Sequence, residues 1–441
     1  MKGFVPTPSA IVDLMVEKLF LEASPYETDT VLDPGCGEGA FIEGIIRWCK
    51  RTSTPMPEII GIDSDPKHIP IARNKFKKYS NITIRNEDFL TKNPGQFNYI
   101  IGNPPYVPIT KLSEMEKVVY RALFKSAQQR FDLYLLFFEQ ALKSLKNNGK
   151  LVFITPEKFL YVKSATNLRT LLNHESVIEI QMIHEQSFRD LTTYPTITSV
   201  INSPPLSPTR VILRDDTIKN IELSKKGESW LPIIHGRSKD AGGKKLKDFC
   251  IRISCGVATG ADSIFIKKKN LMDKALVKFS YPTISGKQLT SQKDSIQSDD
   301  VMLVPYNNKG ELLNEEKLGA LRDYLIEEKN YSRLIARTCY RKKPWYAYHE
   351  TPPLKDILKP KILCKDITAK PKFWIDREGV IVPRHSVYYL VPEDVSQLDE
   401  ICAQLNSNNI TKWLEQHCQR ASNGFIRLQS EILKQIPISD L

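Results

Sequence analysis

The sequence predicts an α/β protein, with a mostly parallel, doubly wound sheet in its first half and a second, basic domain after it. Three observations carry this. Short Val-, Ile- and Thr-rich runs alternate with segments of helical apolar spacing from Thr30 to about Leu213. A Gly-rich turn, Gly35-Cys36-Gly37-Glu38-Gly39, joins the first of these runs to a helical pattern. At 441 residues the chain is long for a single core, so two domains are expected, 1–240 and 245–441, joined near Ala241-Gly242-Gly243.

Taken in order, Thr7-Pro8 followed by Ile11, Leu14, Met15 and Leu19 reads as an N-cap, a proline at the first helical position and an apolar stripe. Thr30-Val31-Leu32-Asp33 is the first strand, and the Gly-rich turn after it lets a ligand approach the backbone closely. Asp33 and Glu38 would repel a pyrophosphate but suit the ammonium or sulfonium of S-adenosylmethionine (SAM). Ile59-Ile60-Gly61-Ile62-Asp63 is a second buried strand ending in an acid, placed to accept ribose hydroxyls. Ile82 to Arg85, then Asp88-Phe89, supply a third, with a carboxylate for an adenine amino group and a ring to cover the base. Any one of these acids could be a solvated strand end; three in succession favour a ligand site.

The fourth strand, Phe97 to Ile101, delivers Gly102 and the loop Asn103-Pro104-Pro105-Tyr106. The prolines fix φ and donate no N–H. Asn103 offers a side-chain oxygen and Pro104 a carbonyl, two acceptors for the two protons of an exocyclic amino group, while Tyr106 offers a stacking face. Adenine and cytosine both carry such a group, and the local chemistry does not choose between them. A buried helix from Asp132 to Leu145 follows. A fifth strand, Leu151 to Ile154, is expected after an Asn148-Gly149 turn, with further strands at Val177 to Met182, Thr196 to Ile201 and Val211 to Leu213.

Composition excludes several classes. No apolar run approaches the length of a membrane span, the first segment carries Asp13 and Glu17 where a secretory leader would be apolar, and the eight cysteines form no Cys-x-x-Cys pair. A reduced, cytoplasmic, metal-free protein is expected. The net charge is +12, of which residues 1–240 contribute +4 and residues 241–441 contribute +8, an imbalance that favours a polyanion partner for the second half. Within it, Arg333, Arg337, Arg341, Lys342 and Lys343 interleave with Tyr340, Trp345, Tyr346 and Tyr348, a pattern suited to phosphates and bases. The alternative is a basic surface over a partly buried aromatic cluster.

Together, Thr7-Pro8, the Asp33 to Gly39 loop, Asn103 to Tyr106 and the ending Asn423-Gly424-Phe425-Ile426-Arg427 resemble the TaqI-like γ class of N6-adenine DNA methyltransferases along essentially the whole chain. The resemblance implies a Rossmann-like SAM-binding domain followed by an α+β target-recognition domain, acting on double-stranded DNA as a monomer. It implies that Thr7 borders the methionine end of SAM, that Asp33, Gly35 and Gly37 form its loop, that Asp63 holds the ribose and that Asp88 and Phe89 hold the adenine, with Phe137 as a further wall. It also implies that Phe188 packs with Tyr106 on a flipped base, and that Asn103 and Pro104 bind its amino group. Ser64 departs from the family, where an aliphatic residue usually meets the cofactor ring. No nuclease constellation is evident, so a separate restriction endonuclease is the expected functional partner. The rival readings are N4-cytosine methyl transfer and a catalytically silent DNA-binding specificity module.

Overall fold

The computed structural model describes residues 6–21, 24–184, 194–224, 226–235, 243–290, 296–421 and 424–439, and the chain divides into two compact units, Met1–Arg237 and Ser238–Leu441. In the first unit the elements run α1 (Ser9–Phe20), β1 (Thr30–Pro34), α2 (Ala40–Thr52), β2 (Glu58–Asp63), α3 (His68–Phe76), β3 (Ile82–Asn86) and β4 (Phe97–Gly102). They continue with α4 (Glu114–Leu123), α5 (Leu133–Lys143), β5 (Leu145–Pro156), α6 (Thr166–Leu172), β6 (Ser176–Met182), β7 (Pro195–Ile201), β8 (Thr209–Ile212), β9 (Ile218–Ile221) and α7 (Leu231–His235).

The strands form one nine-stranded sheet in the order β3-β2-β1-β4-β5-β7-β6-β8-β9. The first five in this order are parallel, β7 runs antiparallel between β5 and β6, and β9 is an antiparallel edge strand beside β8. Successive strand residues face opposite ways, so neighbours in sequence enter different cores. Leu32, Ile60, Ile100, Leu151 and Phe153 pack with α5 and α6, whereas Val31, Ile59, Ile101, Val152 and Ile154 pack with α1, α2 and α3. Each fully buried side chain of this kind contributes about 1.5–3 kcal/mol. Burial on both faces is why these strands read as continuous apolar runs. The chain winds outward from β1 to β3 and then crosses to β4, which makes the carboxyl ends of β1 and β4 the switch point where ligands of such sheets bind.

The structure departs from the sequence reading at four places. Pro8, not Thr7, occupies the N-cap position of α1, its carbonyl accepting the N–H of Ile11 and Val12 at 3.0 Å each; the Thr7 hydroxyl is used elsewhere. Asn148-Gly149 is not a turn before β5 but an irregularity within it: Asn148 sits at φ 61°, and a Cβ at Gly149 would lie 2.8 Å from the Lys146 carbonyl. The helix expected over Asp132 to Leu145 ends at Lys143, because β5 already begins at Leu145. The short strand β9 escaped notice because only two of its four residues are apolar and none is buried.

The second unit is α+β. An antiparallel sheet orders Cys250–Cys255, Val387–Pro392, Lys361–Lys365 and Phe373–Asp376, and a second joins Ile266–Lys268, Asp300–Leu303, Ser280–Ile284 and Val382–Pro383. A small ribbon pairs Ile426–Arg427 with both Ile367–Thr368 and Gln419–Arg420, and the helices Leu398–Leu405 and Asn408–His417 pack against the first sheet's core. At the edge of that sheet lies a buried ion pair, Lys361 with Asp376, whose carboxylate also accepts the N–H groups of Gly379 at 3.2 Å and Ile381 at 3.0 Å. The turn after the strand is thereby tied to the charge beneath it.

Candidate active site

The carboxyl ends of β1, β2 and β4 surround a cavity of about 350 Å³, a size suited to a small cofactor. Among its lining residues are Thr7, Gly35, Asp63, Asp88, Phe89, Asn103 and Phe137, so segments far apart in the chain meet here. The Gly-rich turn is held against β2: the N–H groups of Gly35 and Cys36 donate to the Ile62 carbonyl at 2.6 and 2.9 Å, and Gly37 N–H donates to Asp63 Oδ2 at 2.8 Å. Gly37 takes φ +53°, a left-handed conformation open to glycine at no steric cost. Asp63 Oδ1 accepts from Asp65 N–H at 2.8 Å, which fixes the carboxylate on the cavity wall.

Asp33 is wholly buried at the end of β1, directly beneath Gly102, where a Cβ would come within 3.3 Å of its Oδ1. Among the described residues, neither of its carboxylate oxygens has a hydrogen-bond partner. Burial, reinforced by the neighbouring Asp63 charge, pushes its pKa well above the usual carboxylate range. In the ionised form this carboxylate would be stabilised by a cation beside it. Opposite, Phe89 and Phe137 stand with ring centroids 5.3 Å apart as an apolar wall, and Asp88 is oriented by Leu90 N–H and the Thr91 hydroxyl, each at 3.0 Å. Ser64 lines the cavity with an exposed side chain.

Asn103 joins this cavity to the proline loop. Its Nδ2 donates to Thr7 Oγ1 at 3.0 Å, so the amide is fixed with Oδ1 as its opposite, accepting edge. Pro104 is buried, and among the described residues no hydrogen bond ends on its carbonyl. The half-buried Tyr106 ring meets the edge of Tyr134 at 6.2 Å and its hydroxyl donates to the Ile154 carbonyl at 3.4 Å; burial raises the phenol pKa far beyond its ordinary value, so it stays neutral. Phe188 lies outside the described residues. The sequence reading did not single out Cys36, Ile62, Lys75 and Glu87, which also line the cavity; Cys36 and Ile62 stand within the motifs it used. Among the described residues no group of His, Cys, Asp or Glu is arranged to hold a metal.

In the second unit the basic segment splits in two. Arg333, Arg341 and Lys342 are exposed. Arg337, expected among the nucleic-acid contacts, instead turns inward, donating to the carbonyls of Leu334 at 3.1 Å, Thr259 at 2.9 Å and Trp345 at 2.6 Å. Three main-chain carbonyls thus hold its guanidinium, and the residue is half-buried. Lys343 Nζ donates to the His349 carbonyl at 3.0 Å. Tyr346 and Tyr348 are core residues, their hydroxyls bonded to the carbonyls of Leu313 and Leu303. To this extent the segment is a basic surface over an aromatic core.

Comparison with known proteins agrees with this architecture. The profile of Eco57I restriction-modification methylases matches residues 48–188, and that of the TaqI-like C-terminal specificity domain matches residues 308–438. The Type II methyltransferase M.PaeR7I of Pseudomonas aeruginosa is 23% identical across 99% of this chain and 86% of its own. M.BstVI of Geobacillus stearothermophilus, also named a Type II methyltransferase, is 23% identical across 100% of this chain and 90% of its own. Among solved structures, the Type IIL restriction-modification enzyme MmeI, in complex with DNA, superposes on 98% of this chain with a TM-score of 0.65 at 11% identity; this chain spans 63% of that one, so the likeness concerns the fold. No helix among the described residues is long and apolar enough to cross a membrane. With an Eco57I-type methylase segment ahead of a TaqI-like specificity segment, the chain is similar along nearly its whole length to Type II methyltransferases of restriction-modification systems.

Proposed function

We propose that the chain transfers a methyl group from SAM to N6 of an adenine turned out of double-stranded DNA. The observation that carries this reading is the Asn103 amide, which lines the cofactor-sized cavity while belonging to the loop that would receive the base. The residues of the cavity fit SAM, with a fixed Asp63 carboxylate for ribose hydroxyls and Asp88 with Phe89 and Phe137 for an adenine ring, while Asp33, buried at the end of β1 behind the Gly-rich turn and outside the lining, adds negative charge that favours a cationic group. SAM, when bound, supplies an electrophilic methyl on sulfur.

The chain's own residues do the rest. A base within the duplex hides its amino group, and extruding it costs a few kcal/mol, which stacking on Tyr106 and Phe188 offsets. Asn103 Oδ1 and the Pro104 carbonyl accept hydrogen bonds from the two amino N–H groups. That draws the nitrogen lone pair out of conjugation and aims it along the line of methyl transfer. The nitrogen, cationic once methylated, releases one proton to solvent. Adenine over cytosine rests on the likeness of the loop and its order in the chain to the γ class. Arg333, Arg341, Lys342 and Lys343 would meet phosphates, as sequence-independent anchors for the specificity unit.

A separate restriction endonuclease is the functional partner proposed; the relative RM.Eco57I of Escherichia coli is named as restriction enzyme and methyltransferase in one. Incubating the protein with unmodified genomic DNA and SAM, followed by modified-base sequencing, should give N6-methyladenine in one sequence context, absent with Asn103→Ala. N4-methylcytosine in its place would refute the choice of base, and no modification would refute the reading.

A further inference from the structure

The phosphate contacts considered so far lie in the specificity unit, yet the catalytic unit has exposed cations of its own on segments joined to the proline loop. Directly after Tyr106, Val107 to Ile109 pair with Phe131 to Leu133: Leu133 N–H donates to the Val107 carbonyl at 2.9 Å, Pro108 bridges Asp132, and Ile109 N–H donates to the Phe131 carbonyl at 3.0 Å. This small ribbon makes the exposed Gln128-Gln129-Arg130 turn, with Gln129 at φ 55°, a rigid extension of the loop that carries Asn103. Arg130 is exposed, and among the described residues no ion pair or hydrogen bond engages its guanidinium.

The second cation comes from β5. The Tyr106 hydroxyl bonds to the Ile154 carbonyl, and the chain then turns at Pro156 into the short helical segment Glu157–Leu160, which presents Lys158 to solvent. Lys158 lies within electrostatic reach of Asp132, the residue that bridges Pro108 in the ribbon. Burial lifts the pKa of the Asp132 carboxyl, which weakens it as a counter-charge for the lysine.

We propose that Lys158 and Arg130, both carried by segments tied to the loop of Tyr106, contact the sugar–phosphate backbone next to the extruded target nucleotide. This role rests on the methyltransferase reading and on chain geometry. A base seated against Asn103 and Tyr106 brings its own phosphates to the rim of that loop, because they are joined to it through a single sugar. Exposed cations fixed at that rim meet phosphate oxygens there, and they hold the backbone in its extruded path without reading sequence. In the sequence Lys158 and Arg130 are remote from each other, and each reads as an ordinary surface cation; the ribbon ties the segment of Arg130 to the proline loop, and the Tyr106–Ile154 bond ties the strand that leads to Lys158.

The test uses the full chain and the duplex carrying whichever site modified-base sequencing identifies. Binding is measured by fluorescence anisotropy over a salt series, and base extrusion by 2-aminopurine at the target position. Lys158→Ala and Arg130→Ala should each lower the slope of log K against log salt by about 0.9, the value for one lost phosphate contact. Both should dim the 2-aminopurine signal while leaving SAM binding unchanged, and Lys158→Arg should restore the slope. If wild-type protein binds and methylates the duplex while both variants keep its slope and its fluorescence, this inference fails and the methyltransferase reading stands. A wild-type protein that neither binds nor methylates DNA overturns both.

Discussion

Asp33→Asn separates the electrostatics of the cofactor cavity from its shape. The substitution preserves volume at a wholly buried position and removes a charge that has no hydrogen-bond partner among the described residues. In the unliganded protein the folded-state pKa of Asp33 is raised, so the folded state holds this proton over a range where the unfolded chain has released it. Stability therefore falls as pH rises above the unfolded value of about 3.9, and at neutral pH the charge is a liability that Asn lacks. The variant keeps a buried polar amide but loses the ionisation, so without ligand it should gain on wild type by about 1.4 kcal/mol for each pH unit over which the folded protein alone holds the proton. With ligand the sign reverses. A hydrogen bond to a charged group contributes about 1.5–3 kcal/mol, so the variant should bind SAM roughly 10- to 150-fold more weakly. Thermal midpoints from pH 5 to 8 and calorimetric titration with SAM read both effects. S-adenosylhomocysteine, which keeps the ammonium but lacks the sulfonium, tells which cation Asp33 faces: an equal loss for both ligands indicates the ammonium. A variant that is less stable than wild type and binds SAM equally well would refute the reasoning.

Three further predictions concern other contacts. Thr7→Val removes the acceptor that holds the Asn103 amide and should slow single-turnover methyl transfer about tenfold while Thr7→Ser restores it; equal rates would show that the amide is set by other contacts. Asp63→Ala releases both Gly37 and Asp65 N–H groups, so it should raise the SAM dissociation constant in calorimetry and abolish most of the turn's amide protection in hydrogen exchange; unchanged protection would mean that the turn holds itself. Lys361→Ala strands the buried Asp376 carboxylate and should destabilise the specificity unit by about 3–5 kcal/mol in urea titration, whereas Lys361→Met with Asp376→Asn, which removes the stranded charge but keeps an acceptor for the turn, should recover part of that loss.

What the sequence discloses of this molecule follows from how local each feature is. The strand tips were legible because burial on both faces forces unbroken apolar runs, and because an acid or a proline loop at the end of such a run marks the sheet edge where ligands bind. Asp33, Asp63 and Asn103 could be named from their own neighbours in the chain. Their states could not. That Asp63 is committed to Gly37 and Asp65, that Asp33 is without a partner among the described residues, and that Thr7 serves Asn103 and not the helix it precedes are facts of packing between distant segments. The basic segment of the second unit shows the same limit from the other direction. Residue type and spacing made Arg337 equivalent to Arg333, but a half-buried guanidinium that meets three carbonyls is more strongly held there than at a screened surface, so Arg337 is structural where Arg333 is exposed. Charge in a sequence states how many cations a domain has to offer; which of them remain for a polyanion is decided by the carbonyls and carboxylates that the fold brings to each one.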